Sequence, residues 1–342
     1  MFALRCGAAV SLAALSMLLG SCRGSSAPAF PNDPRFQRYL WPSPEGSGGA
    51  LATFPASPSA PPPPPRNERL PAVSTEKPLH GAPHPNSVAL VIGVESYGDG
   101  LTHPVGARRD AESFAELAEH SFGVPADRVH VLLDEQATRS RIDHQIAWAA
   151  DNVQPPGTLF FFFAGHGSVD HSEARQGPAQ FLLPHDVTPS DVHGSGLELG
   201  EILARLKISK AAHVVAFLDA CYAAGGGRSV PTRTRGFVRE HDAPDRTLVF
   251  SASTASQVAG PTARGDAGAF THALTEALSR GGSSALADLD GDGNVSMIEL
   301  RAWVTPRVAR ESAAQSREQT PTLTLPMNRK DMTMILAEGL NR

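Results

Sequence analysis

The chain has 342 residues, of which 41% are hydrophobic and 19% charged, enough for one large or two modest domains. A formal net charge of −5 with no long basic run argues against a nucleic-acid surface built on charge. Of its three cysteines, Cys6 and Cys22 lie near the amino terminus, so the rest of the chain holds one thiol, Cys221, and no internal disulfide.

Arg5, the apolar run "AAVSLAALSMLLG" and the small residues after it read as a secretory signal over residues 1–22. The run is short for a permanent membrane span. "LGSC" at 19–22 resembles a bacterial lipobox, which makes Cys22 the expected lipidation site. An ordinary signal peptide that happens to contain a cysteine is the alternative. Arg23, in place of an aspartate after the cysteine, points to the outer membrane, so the expectation is an exported, envelope-anchored protein of a Gram-negative bacterium. Residues 23–85, with "PSPEGSGG" and "SPSAPPPPPRNERLP", are too rich in Pro, Ser and Gly to offset their conformational entropy and read as a disordered, extended spacer.

From Asn86 to residue 342 the texture is that of a folded domain. Apolar runs at 87–94, 129–134, 158–165, 213–220 and 247–253 read as strands. Segments 106–123, 137–153, 197–208 and 268–280 carry helical periodicity. Continuously apolar strands alternating with amphipathic helices imply an α/β fold, a mainly parallel sheet covered on both faces. In such sheets ligands bind beyond the carboxyl ends of the strands.

His166 follows the third strand, in "FFFFAGHGSVD", and Cys221 follows the fourth, in "HVVAFLDACYAAGGG". If those strands are neighbours, both residues reach the same carboxyl edge. A thiolate is the attacking form of cysteine, and an imidazole can hand a proton to a departing amine. The amide N–H groups of Gly167 and Cys221 are candidate oxyanion donors, and Gly165 and Gly167 would clear room for a substrate backbone. The alternative is a core histidine and a buried cysteine.

The segments "ALVIGVESYGDG", "GARRDAESF", "FFFFAGHGS", "FLLPHDV", "VVAFLDACYAAGGG" and "VFSASTASQVAG…GAFTHALTEAL", in that order, resemble the caspase-like cysteine peptidases in their bacterial metacaspase-type form (peptidase family C14, clan CD). The resemblance covers roughly residues 86–335. It implies a caspase-hemoglobinase fold, a six-stranded mainly parallel sheet with helices on both faces, and a catalytic dyad carried by His166 and Cys221. Animal caspases have Gln-Ala-Cys at the nucleophile, whereas this chain has Asp219-Ala220-Cys221. A carboxylate two residues before the nucleophile shares its strand face, and an acidic S1 pocket selects a basic P1 residue. Asp110, in "RRDA", matches a second acidic pocket position of that family; a solvated helix residue is the alternative. Ala164 and Ala107 stand where the family often has serine and cysteine, which leaves the hydrogen bonding of the pocket open.

The stretch 225–246 carries Arg228, Arg233, Arg235, Arg239 and Arg246. In the resembled family this region is a mobile loop that is sometimes cut, so self-cleavage is an expectation, against a simple solvated basic loop. Further on, "DLDGDGNVSMIE" at 288–299 has the spacing of an EF-hand loop. It would offer Asp288, Asp290, Asp292, the Asn294 carbonyl, Ser296 through water and Glu299 to Ca²⁺. The entering helix is interrupted by Gly281-Gly282, so a half hand is expected; an acidic turn that binds nothing is the alternative. Together these features describe a calcium-binding cysteine endopeptidase that cuts peptides or proteins after Arg or Lys, with no organic cofactor; they leave the oligomeric state open, with a monomer favoured. A catalytically inactive caspase-like scaffold and a calcium-binding interaction lipoprotein are the rivals.

Overall fold

A computed structural model describes residues 79–98, 101–170, 179–221, 246–254, 257–279, 285–325 and 334–340. The signal and lipidation site at Cys22, nearly all of the spacer and the stretch 222–245 lie outside these residues. The central strands are β1 (Val88–Gly93), β2 (Val129–Leu133), β3 (Thr158–Asp170), β6 (His213–Cys221), β7 (Thr247–Ser251) and β9 (Thr322–Thr324). They run in the order β2-β1-β3-β6-β7-β9, the first five parallel and β9 antiparallel on β7. The six-stranded, mainly parallel sheet expected from the sequence is therefore present. β4 (Ala179–Leu182) and β5 (Leu197–Glu198) extend it from the far end of β3.

The four consecutive phenylalanines explain how the sheet is held. Side chains alternate across a strand, so Phe160 and Phe162 enter one apolar layer and Phe161 and Phe163 the other. The first layer is closed by α1 (Ala107–His120), α4 (Ala269–Ala277) and α5 (Met297–Ala313). There Phe114 of α1 stacks on Phe162 at 4.4 Å, and Phe122 on Phe160 at 4.8 Å. The second layer is closed by α2 (Arg139–Asn152), through Ile142 and Ile146, and by α3 (Leu199–Lys207), through Ile202 and Leu206. Helices thus cover both faces. Among the described residues no helix is long and apolar enough to cross a membrane.

One boundary differs from the sequence reading. β3 runs to Asp170 instead of stopping at residue 165, because it changes partners. Its parallel pairing with β1 ends at Gly93–Ala164, and antiparallel pairing with β4 begins at Gly167–Leu182. His166 therefore sits inside a continuous strand, at the point where one neighbour replaces another.

Candidate active site

The ladder between β3 and β6 closes on the register pair His166–Cys221. The two residues are side by side on adjacent strands at the carboxyl edge of the sheet, about 4.8 Å apart in the pairing direction. His166 is partly exposed. Its Nε2 lies 2.6 Å from the Thr102 carbonyl oxygen and 3.4 Å from Thr102 Oγ1. A carbonyl can only accept, so Nε2 carries a hydrogen, which makes Nδ1 the nitrogen that gains or loses a proton. The Tyr97 ring lies 4.9 Å from the imidazole at a 35° tilt.

Backbone alternation directs the Gly167 amide. The Leu183 N–H donates to the His166 carbonyl at 3.0 Å, which makes Gly167–Leu182 a pair without mutual hydrogen bonds. The Gly167 N–H consequently faces away from β4, toward β6 and the Cys221 backbone. Gly165 has a purpose not read in the sequence. Its φ is +155°, and a Cβ there would lie 2.7 Å from the Tyr97 hydroxyl. It clears room for a tyrosine.

The two acidic residues expected to shape S1 converge on one glycine. Asp110, on the buried side of α1, accepts from the Gly268 N–H at 3.1 and 2.9 Å through its two oxygens. Asp219 Oδ2 accepts from Thr271 Oγ1 at 2.7 Å and from the Thr271 N–H at 3.2 Å. A Cβ at position 268 would collide with Asp219 Oδ2 and lie 2.9 Å from Asp110 Oδ2. Glycine is thus what lets both carboxylates reach the same spot. Asp110 is 4% exposed, so the alternative of a solvated helix residue is excluded. Burial first, and then the charge of Asp219, push the Asp110 carboxyl well above the usual carboxylate range, against the pull of the Gly268 N–H. Asp219 is raised as well, again chiefly by burial, with the Thr271 bonds working the other way. The nearest guanidinium in sequence, Arg109, is paired with Asp266 at 3.0 Å. Two buried carboxylates so close together are compensated best by a cation that brings its own N–H donors.

Several of these residues were not singled out in the sequence. Glu95 Oε2 accepts from the Gly106 and Arg108 N–H groups, both at 3.2 Å, and so caps α1, whose own N-cap glycine supplies no side chain. Asp134 Oδ1 accepts from the Glu95 and Ser96 N–H groups at 2.9 and 2.8 Å. Together they hold the loop after β1 that carries Tyr97. Thr102, Gly268 and Thr271 complete the set; Gly268 and Thr271 lie in the quoted "GAFTHAL", which was the available signal.

At 288–299 the expected donors are only partly assembled. One oxygen from each of Asp288, Asp290 and Asp292 lies within 4.8 Å of the others. Asp288 accepts from the N–H groups of Gly291 and Gly293, at 2.8 and 3.0 Å, and both glycines have positive φ. Glu299 is buried and taken up in a capping box: Oε2 accepts from the Ser296 N–H and hydroxyl at 2.9 and 2.7 Å, and Oε1 from the Leu289 N–H at 3.0 Å. The Asn294 side chain accepts from the Gly339 N–H at 3.0 Å. α4 ends at Ala277, and Ala285–Ala287, just before the loop, are not helical, so among the described residues the loop is followed by a helix, α5, and not directly preceded by one. β8 (Val295–Ser296) pairs with β10 (Ile335–Ala337) where a second hand would otherwise sit. An all-oxygen donor set of this kind fits Ca²⁺. Of the arginines in 225–246, Arg246 is described, and its guanidinium donates to the Lys207 and Ser209 carbonyls at 2.9 and 2.7 Å. It anchors the start of β7 and does not belong to a free loop.

Residues 86–333 match the caspase domain of peptidase family C14. Metacaspase-1 of Saccharomyces cerevisiae is 23% identical over 197 residues, 52% of this chain and 44% of that protein. Metacaspase-1A of Aspergillus fumigatus is 26% identical over 183 residues, 47% of this chain and 43% of that protein. The chain thus spans less than half the length of these curated relatives. Among solved structures, protein GSU0716 from Geobacter sulfurreducens has a similar fold, with a TM-score of 0.51 at 17% identity over 73% of this chain and 97% of that one. With the domain match covering most of the chain and the sheet in the expected order, this protein belongs to the caspase-domain family.

Proposed function

We propose that the chain is a cysteine endopeptidase that cuts after arginine or lysine. The observation that carries this reading is the register pair His166–Cys221, with Asp219, two residues before the cysteine on β6, meeting Asp110 at Gly268. In the proposed reaction His166 Nδ1 takes the Cys221 proton, and the resulting thiolate attacks the scissile carbonyl. The carbonyl electrons move to oxygen, where the Gly167 N–H and the Cys221 N–H stabilise the oxyanion once the substrate draws them from the end of the β3–β6 ladder, which engages both through the His166–Cys221 pairing. Collapse expels the amine, which takes its proton from His166. Water, deprotonated by the now neutral His166, then hydrolyses the thioester and regenerates the thiol. Asp110 and Asp219 hold the basic P1 side chain.

Turnover of coumarin peptides with Arg, Lys or Asp at P1 tests the reading. The expected result is cleavage after Arg and Lys, lost in Cys221→Ala; preference for Asp would overturn the acidic pocket.

The same carboxylates make a second expectation about pH. A carboxylate whose folded-state pKa is raised loses stabilisation as pH climbs from about 3.9, its unfolded value, through the folded one. Asp110→Asn removes the loss. The variant should therefore melt at a higher temperature than wild type at pH 7, with the gap closing toward pH 4, while kcat/KM on P1-Arg peptides falls by at least about tenfold. A variant that melts lower at pH 7 would contradict the placement of Asp110.

We also propose that the 288–299 loop takes Ca²⁺ through Asp288, Asp290, Asp292, the Asn294 carbonyl, Ser296 and Glu299, once Glu299 exchanges its N–H partners for the ion. Titration calorimetry should give one site, absent in Asp288→Ala; no heat at millimolar Ca²⁺ would remove calcium from the description.

A further inference from the structure

We propose that Tyr97 is a positioning residue for His166: its hydroxyl closes the gap in the ladder where β3 changes partners, and its ring sets the imidazole. This rests on the peptidase reading above. β1 serves β3 as far as Ala164, whose carbonyl accepts from the Val94 N–H at 2.9 Å. β4 takes over with the Leu183 N–H on the His166 carbonyl. Between them the His166 N–H has no strand partner on that edge. The Tyr97 hydroxyl fills the vacancy, accepting from the His166 N–H at 2.8 Å and donating to the Leu183 carbonyl at 3.1 Å. One oxygen thus ties the loop after β1, the histidine and the residue that follows β4.

Three further observations fit this role. The hydroxyl must accept and donate at once, which only the neutral phenol does. Burial, helped by the charge of Asp134, raises the Tyr97 pKa and keeps the proton on, although the His166 bond pulls the other way. Gly165 is cut back for the tyrosine, since a Cβ there would press on the hydroxyl at 2.7 Å. Finally, the ring lies against the imidazole, whose other restraint is the Thr102 carbonyl. An ordinary core tyrosine would need neither the bridging hydroxyl nor the adjacent glycine.

Tyr97→Phe keeps the ring and removes one oxygen. A displaced histidine slows chemistry more than binding, so kcat on a P1-Arg peptide should fall about 10- to 100-fold. KM should stay within about twofold, because the S1 carboxylates are untouched. The His166 amide should exchange its hydrogen slowly in wild type and rapidly in the variant, read residue by residue by NMR. The proposal is overturned by a kcat within about twofold of wild type, by a loss carried equally in KM, or by rapid exchange of the His166 amide in wild type. The exchange measurement on wild type decides the matter even if the variant does not fold. Should wild type cleave no peptide, the peptidase reading fails by itself, and slow exchange at His166 still separates the Tyr97 link from that failure.

Discussion

The arrangement depends on the pairing of β3 with β6. Nine register pairs, from Thr158–His213 to His166–Cys221, join the two strands. A shift of one residue would send Phe160 through Phe163 into the wrong layers and carry the histidine off its partner. The same packing that makes the sheet rigid therefore sets where the imidazole stands. Four phenylalanines split between two helical layers leave the strand one register, and a slip would expose or overpack side chains that are now fully buried. Precision at the edge of the sheet is bought in its centre.

Around this frame the polar residues do local work against their own preferences. Asp110 and Asp219 are held beside one another out of water, with backbone N–H groups and one hydroxyl as compensation. An ionised carboxylate in such a place destabilises the fold, and a second one close by adds to it. Under the proposed reading, the cation of a basic P1 side chain offsets that cost when it binds. Gly268 is the residue that permits the crowding. The Glu95 cap on α1 and the Asp134 hold on the Glu95–Ser96 backbone fasten the neighbouring loop to the same region.

Much of the sheet was legible in the sequence because burial on both faces leaves continuous apolar runs, as in "VALVIG" and "TLFFFFA". Asp219 was legible too, since residues two apart on a strand share a face. The second half of β3 was not. "GHGSVD" has no apolar alternation, and what makes it a strand is β4, brought up by chain beyond it. Tyr97 and Thr102 were hidden for a related reason. They sit in an irregular loop and meet His166 across separations of 69 and 64 residues, which no local pattern announces. Asp110 came from the resemblance of "RRDA" to a family position, and its burial on α1 could not be separated from solvation by periodicity alone. The acidic loop shows the opposite limit: its spacing was plain, but Glu299 turns out to serve as a helix cap, a use that the same spacing equally allows.

The most direct test of the central claim is the rate at which an arginyl peptide bearing an acyloxymethyl ketone forms a thioether with Cys221, followed by mass spectrometry of the mapped peptide. The paired register predicts one adduct, on Cys221, formed about 100-fold more slowly when His166 is replaced by alanine. Equal rates in the two proteins, or an adduct on another residue, would contradict it.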